Sequence, residues 1–228
     1  MKLAAMCSGG KDSAFAAYQA SRDGHTLACL VTLIPGSPES YMFHYPNSDK
    51  TSLHASAMGI PLLKAETIGV KEDELSDLRG LLSIAAQRYG IEGIVTGGLA
   101  SKYQKVRFEK VCNDIGIECL SPLWGKDQEQ HLRDLLEQGF EIIFTGVSAA
   151  GFGPDWLGRR LDIDAINELI NLYHHYSINI ALEGGEGETF ALSSPLFRRK
   201  RIELLHTEKV WLGDRGYLKI LQAQLIDA

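Results

Sequence analysis

Lys2-Leu3-Ala4-Ala5-Met6-Cys7-Ser8-Gly9-Gly10-Lys11-Asp12-Ser13-Ala14-Phe15-Ala16-Ala17-Tyr18 decides the fold. Lys2 to Met6 is a short apolar run of strand length, and Ser13 to Arg22 carries helix-forming residues with apolar positions at helical spacing. Between them lies a loop with two glycines, one Lys and one Asp. Glycines let backbone amides approach an anion closely, Lys11 adds positive charge, and Ser13 opens a helix whose N-terminus favours negative charge. Ser8, Gly9, Gly10, Lys11, Asp12 and Ser13 are therefore candidates for holding a phosphate. A Gly-Gly turn capped by Asp or Ser is the plainer alternative. The loop is no Walker A motif, because Ala5 stands where the first Gly should be and Asp12 follows the Lys.

Outward from this stretch the same alternation repeats. Leu27 to Ile34 reads as a strand, Thr51 to Met58 as a helix, Pro61 to Glu66 as a strand, Glu72 to Tyr89 as a helix and Gly93 to Thr96 as a strand. Such alternation predicts an α/β fold, a Rossmann-like parallel sheet with helices on both faces. Ligands of such sheets sit in loops beyond the strand C-termini, where the strand order reverses. Pro122 and Gly125 mark a boundary, so residues 1–124 and 125–228 are expected to form separate domains. After it, Asp127 to Gln138 and Asp164 to Tyr176 read as helices around a strand at Glu141 to Val147. Glu188 to Leu192, Arg201 to His206 and Tyr217 to Leu225 read as strands, which predicts a smaller mixed α+β C-terminal region.

Composition narrows the function classes. The 228 residues carry 45% hydrophobic and 23% charged residues, a globular balance, and a net charge of −6 that argues against a non-specific grip on nucleic acid. No apolar run approaches the length needed to span a bilayer, and the N-terminus lacks an export signal. The four cysteines, Cys7, Cys29, Cys112 and Cys119, show no CxxC spacing, which suits reduced thiols. The expectation is a soluble cytoplasmic protein without a membrane or nucleic-acid partner. Its strand-rich C-terminal end predicts a homodimer.

Other residues bear on chemistry. A helix from Ala100 to Asn113 puts Lys102, Lys105, Glu109 and Asn113 on one side and leaves Gln104 and Arg107 near Ala100, Tyr103, Phe108 and Val111. An Arg in an inward sector needs an anion or a carboxylate, so Arg107 and Gln104 are predicted to contact nucleotide, with Gly97-Gly98 at the helix start facing the same cleft. If the chain after Gly185 is extended, Glu186 and Glu188 share one face and could hold Mg²⁺ or orient an attacking amine; a solvated acidic turn is the alternative. Asp12 is a further candidate for Mg²⁺, or else a helix cap. His44, within Tyr41 to Asn47, reads as part of an aromatic cluster. The run Arg198-Arg199-Lys200-Arg201 reads as a solvated turn.

Ser8-Gly9-Gly10-Lys11-Asp12-Ser13 resembles the signature of the PP-loop ATP pyrophosphatases. Three more segments narrow that resemblance: Thr96-Gly97-Gly98-Leu99-Ala100-Ser101-Lys102-Tyr103-Gln104-Lys105-Val106-Arg107-Phe108-Glu109-Lys110-Val111-Cys112, then Cys119-Leu120-Ser121-Pro122-Leu123-Trp124, then Glu183-Gly184-Gly185-Glu186-Gly187-Glu188-Thr189. With Trp156-Leu157-Gly158-Arg159 between them, these are similar to the diphthine-ammonia ligase family, its archaeal members in particular, over essentially the whole chain. Two positions depart from its pattern: members often carry an aromatic residue at Gly187 and an Asp at Ser193. The resemblance implies a PP-loop/HUP-type ATP-binding domain over 1–124 and a C-terminal substrate-binding domain over 125–228. It implies use of ATP with Mg²⁺ to adenylate the carboxylate of diphthine on translation elongation factor 2. Ammonium then supplies the amide nitrogen, giving diphthamide, AMP and pyrophosphate. Lys11, Arg107, Glu186 and Glu188 would be catalytic, and Ser8 to Ser13, Gly97, Gly98 and Gln104 would bind nucleotide. Amidation of a small carboxylic acid, sulfur transfer to tRNA and a non-catalytic nucleotide-binding module are the alternatives.

Overall fold

The computed structural model describes residues 1–35, 47–67 and 73–228. His44 and its aromatic neighbours 41–45 lie outside them, as does Glu72, the expected first residue of a helix. The chain divides into two compact units, Met1–Trp124 and Gly125–Ala228.

In the first unit the elements run β1 (Lys2–Met6), α1 (Lys11–Arg22), β2 (Thr26–Pro35), a 3-10 turn (Ser48–Lys50), α2 (Thr51–Met58), β3 (Leu62–Thr67), α3 (Asp73–Tyr89), β4 (Gly93–Val95), α4 (Lys102–Ile115) and β5 (Glu118–Leu120). All five strands are parallel, in the order β3-β2-β1-β4-β5. The chain leaves β1 toward β2 on one side and returns on the other as β4, so the order reverses between β1 and β4. That junction, at the carboxyl ends, is where ligands of doubly wound sheets bind. Alternate strand residues face opposite layers. Ala4 and Met6 of β1 join Cys29, Val31 and Leu33 of β2 in a core with Leu78, Leu82 and Ala85 of α3 and Val111 and Cys112 of α4. Leu3, Ala5 and Leu30 are buried on the other side, and α1 packs on β1, β2 and β4. Each fully buried Leu or Val is worth about 1.5–3 kcal/mol, which explains why β2 reads as a nearly unbroken apolar run.

The second unit runs α5 (Gln128–Glu137), β6 (Glu141–Val147), a 3-10 turn (Pro154–Trp156), α6 (Ile163–Tyr176), β7 (Gly187–Ser193), β8 (Lys200–Trp211) and β9 (Gly216–Asp227). Its sheet is antiparallel, in the order β7-β6-β9-β8. Both helices are capped by an aspartate: Asp127 accepts from the Gln130 amide at 2.9 Å and Asp162 from the Ala165 amide at 2.7 Å. The Trp156-Leu157-Gly158-Arg159 motif is a packing device here. Trp156 meets Phe144 and Phe152 edge-on at 4.9 and 5.0 Å, and Arg159 lies 4.6 Å above its ring while gripping Glu168 through two bonds of 2.7 and 2.9 Å. Of the basic run expected as a solvated turn, Arg198 and Arg199 lie exposed before β8, whereas Lys200 and Arg201 open the strand half-buried, and Lys200 pairs with Asp227 at 2.6 Å across the β8–β9 ladder.

The elements differ from the sequence reading at a few ends. α1 starts at Lys11 rather than Ser13, because Gly10 in an extended conformation already serves as the capping residue. β5 is a three-residue, partly exposed strand without the apolar run that would have revealed it. β8 and β9 each reach twelve residues, beyond the expected 201–206 and 217–225. No helix among the described residues is long and apolar enough to cross a membrane.

Candidate active site

The loop after β1 is built by main-chain geometry first. Cys7 extends β1's pairing by donating its amide to Val31 O at 2.9 Å, and buried Thr32 donates its hydroxyl to Cys7 O at 2.8 Å. Thr32, the lone polar residue in the β2 apolar run, thereby ties the loop's base to the sheet; only that interruption signalled it in the sequence. Gly9 then turns at φ 88°, a region that L side chains avoid. Two serines close the loop. The Ser8 amide donates to Ser13 Oγ at 3.3 Å, the Gly10 amide to Ser8 Oγ at 3.2 Å, and Ser13 Oγ donates to Gly10 O at 3.1 Å. Ser8 and Ser13 hydroxyls are 3.2 Å apart. These bonds hold the loop over the start of α1, the positive end of that helix's dipole.

Lys11 is the first residue of α1 and is only 3% exposed, an unusual position for an ammonium group. Its Nζ donates to Asp12 Oδ2 at 2.7 Å, and Asp12 stays 26% exposed. Desolvation pushes the Cys7 thiol up to about 12, against a weaker opposing bond from the Gly9 amide, so Cys7 stays protonated at neutral pH.

The loop after β4 meets the first one directly. A Cβ on Gly97 would stand 2.6 Å from Asp12 C and Ser13 N and 2.8 Å from Asp12 O, so Gly97 is present for close approach. Gly98 has room, with Gln104 Oε1 at 4.0 Å from its would-be Cβ. Thr96 and Ser121 hydroxyls lie 3.0 Å apart, joining the ends of β4 and β5. α4 opens at Ser101, whose side chain caps the Gln104 amide at 3.4 Å. Arg107 stands one turn later, its guanidinium 3.5 Å above the Tyr103 ring centroid and bonded to Tyr103 O at 3.3 Å. Lys105 covers the Trp124 ring at 4.2 Å. Gly97 thus joins the Ser8 to Ser13 loop, Gly98 lies beside Gln104, and Gln104 and Arg107 both stand in the first two turns of α4.

The acidic loop belongs to the other unit. Glu188 lies on β7 opposite Gly146 of β6, where a Cβ on Gly146 would come within 3.1 Å of Glu188 Cβ. Gly187 fits equally tightly: a Cβ there would stand 2.7 Å from Gly146 O. Glu186, in contrast, is not extended. It occupies a turn before β7, and its carboxylate accepts the amides of Asn179 at 2.9 Å and Gly184 at 2.7 Å. The expectation that Glu186 and Glu188 share one strand face therefore does not hold, because main-chain donors capture the first of them.

Among the described residues no group of three or more His, Cys, Asp or Glu forms a protein cage for a metal. Mg²⁺ needs none when phosphates and water complete its shell. A single partly exposed carboxylate at the phosphate loop, Asp12, fits that pattern.

Comparison with known proteins agrees with this division. Residues 1–119 match the model for the diphthamide synthase N-terminal domain, and residues 127–226 match that for the diphthamide synthase C-terminal domain. The Homo sapiens diphthine--ammonia ligase is 33% identical over 251 aligned positions, covering 100% of this chain and 93% of the human one. That of Danio rerio is 34% identical over 238 positions, covering 96% and 92%. A solved chain described as a predicted subunit of tRNA methyltransferase from Methanocaldococcus jannaschii superposes with a TM-score of 0.45 at 16% identity, covering 86% of this chain and 98% of that one. With both family models matched in order and relatives aligned end to end, this chain belongs to the diphthamide synthase family, the diphthine–ammonia ligases.

Proposed function

We propose that this chain amidates diphthine on translation elongation factor 2 at the expense of ATP. The observation that carries the reading is the tight seat of Gly97 against the first turn of α1. It sets the two glycine loops side by side at the β1/β4 switch point, in a chain whose whole length matches diphthine–ammonia ligases.

The triphosphate lies along Ser8 to Ser13, with the α1 dipole and Lys11 facing its negative charge. The diphthine carboxylate attacks the α phosphorus, the bond to the bridging oxygen breaks, and pyrophosphate leaves. Ammonia then attacks the acyl carbon, AMP departs, and the surplus ammonium protons pass to solvent. Gln104, Gly97 and Gly98 hold the nucleotide, and Arg107, set by its stack on Tyr103, stabilises charge on the adenylate. Asp12 is the residue that would hold Mg²⁺, and the bound ion supplies charge neutralisation for the leaving pyrophosphate. Catalysis rests on holding carboxylate and phosphorus in line. The acids of the Glu183–Thr189 segment serve the acceptor side, in a C-terminal domain that binds substrate. The protein works in the cytoplasm as a homodimer without nucleic acid.

The test is incubation of the protein with diphthine-bearing elongation factor, ATP, Mg²⁺ and ammonium. The factor should lose about one dalton, the difference between a carboxylic acid and its amide, while AMP and pyrophosphate appear in step. Unchanged factor mass with AMP formed on a small carboxylic acid would move the acceptor to that class. ATP binding that yields no AMP with any acceptor would refute the enzyme altogether.

A further inference from the structure

In the turn before β7 one acid is bound to the main chain of its own segment. Both carboxylate oxygens of Glu186 are taken by main-chain donors of its own segment, Oε1 by the Asn179 amide at 2.9 Å and Oε2 by the Gly184 amide at 2.7 Å. The rest of the segment is wired around the same carboxylate. Asn179 O accepts the Leu182 amide at 2.9 Å, and Asn179 Oδ1 accepts the Glu183 amide at 3.3 Å. Leu182, buried, sits at φ 64°, and Gly185 at φ 89°. A non-glycine residue in that region persists only where its surroundings over-determine it. Ser148, just past β6, fastens the far end: its amide donates to Glu186 O at 2.8 Å, and its hydroxyl donates to Gly185 O. β7 starts at the next residue, with Glu188 beside Gly146.

Bonds from amides to a carboxylate are stronger than those to neutral acceptors, and the two oxygens of Glu186 tie two separate points of the turn together. A metal or a proton on Glu186 would draw on the same two oxygens and weaken the bonds that close the turn.

We infer that Glu186 is a positioning residue. Its carboxylate is the template on which Asn179–Gly187 closes, and it acts on the reaction through the placement of Glu188 and the neighbouring main chain, not as a base or a metal ligand. The inference rests on the activity proposed above only for its kinetic consequence; the template role itself is a property of the free protein.

Two measurements test it. Amide hydrogen exchange of Asn179 and Gly184, followed by NMR without nucleotide or acceptor, should accelerate at least about tenfold in Glu186→Ala, the effect of losing one net hydrogen bond at each amide. Formate should restore part of the protection where equal chloride does not, because formate supplies the missing carboxylate. Unchanged exchange in Glu186→Ala would overturn the inference, whatever the enzyme assays give. Glu186→Gln keeps one acceptor oxygen and serves should the alanine variant fold poorly. With the parent active, Glu186→Gln should raise KM for the acceptor by about tenfold while KM for ATP, the Mg²⁺ requirement and the pH profile of kcat stay at parent values. Loss of a limb of that pH profile, or a raised Mg²⁺ requirement, would overturn it in favour of a direct chemical role. A parent that amidates nothing sinks the functional reading and leaves the exchange result to judge the template.

Discussion

Gly97→Ala introduces one methyl group where the loop after β4 presses on the first turn of α1. Its Cβ would lie 2.6 Å from Asp12 C and Ser13 N and 2.8 Å from Asp12 O. Comfortable carbon contacts begin at about 3.5 Å, so one of the two main chains must retreat by the better part of an ångström. The obstacles are backbone atoms of a hydrogen-bonded helix start, which yield less than the tip of a side chain. Overpacking costs about 1–3 kcal/mol, and the alanine recovers about 0.4–1 kcal/mol by restricting the unfolded chain. The net expectation is about 1–2 kcal/mol, which lowers the unfolding midpoint by about 2–8 °C at 2–4 °C per kcal/mol. The functional effect should be larger. A displacement approaching an ångström at a reacting centre costs on the order of a hundredfold, and the displaced segment includes Lys11, Asp12 and Ser13. Gly98→Ala is the matched comparison, since only Gln104 Oε1 comes near, at 4.0 Å; its midpoint should stay within about 2 °C of the parent's. Thermal unfolding followed by circular dichroism, and pyrophosphate release at varied ATP, are the assays. A Gly97→Ala protein that melts with the parent and turns over with parent KM and kcat would refute the argument that this contact sets the nucleotide site.

Lys11→Ala should reduce pyrophosphate release by about 10²–10³, the usual loss for a charge donor aimed at a transition state, and parent-rate turnover would remove Lys11 from the mechanism. The Arg159 guanidinium holds the Glu168 carboxyl below its ordinary value of 4.5, so this pair's contribution to stability is present above that value and fades as pH falls through the lower folded one. Both groups are partly exposed, so the contribution stays below about 1 kcal/mol. In denaturant titrations the stability gap between parent and Glu168→Gln should be level from about pH 6 to 8 and close below about pH 4.5; a gap that widens in acid would contradict it. The bond from the Cys112 thiol draws Cys119 below the usual thiol range, while burial pushes Cys7 up to about 12 and Cys29 up to about 11. Iodoacetamide at mildly alkaline pH should therefore label Cys119 first by peptide mass mapping, and prior labelling of Cys7 would contradict the assignment.

Much of the architecture was legible along the chain. β1, α2 and β6 appear at the residues their apolar spacing marks, and the Ser8 to Ser13 loop stands between strand and helix as its glycines and hydroxyls require. These features are written in short-range periodicity and turn chemistry. The outer half of the β8–β9 ribbon was not, because Thr207, Glu208 and Lys209, past the expected end at His206, are exposed and carry no burial pattern; ladder bonds to the partner strand hold them extended. The wheel reading of α4 set Arg107 apart from Lys105 and Glu109, yet all three are half-buried, and it could not say that the Tyr103 ring would receive the guanidinium.

By itself, the order of residues determined the alternation of strands and helices, the anion-favouring character of the first loop and the break near Pro122, since each follows from neighbours a few positions apart. Only the folded molecule decided that β1 lies between β2 and β4, that Gly97 rests on Asp12 and Ser13 from some eighty-five residues away, and that Glu186 turns back onto Asn179 and Gly184. Those outcomes depend on which main-chain donors and which surfaces come together in space, and pairing of that kind leaves no periodic trace in the chain.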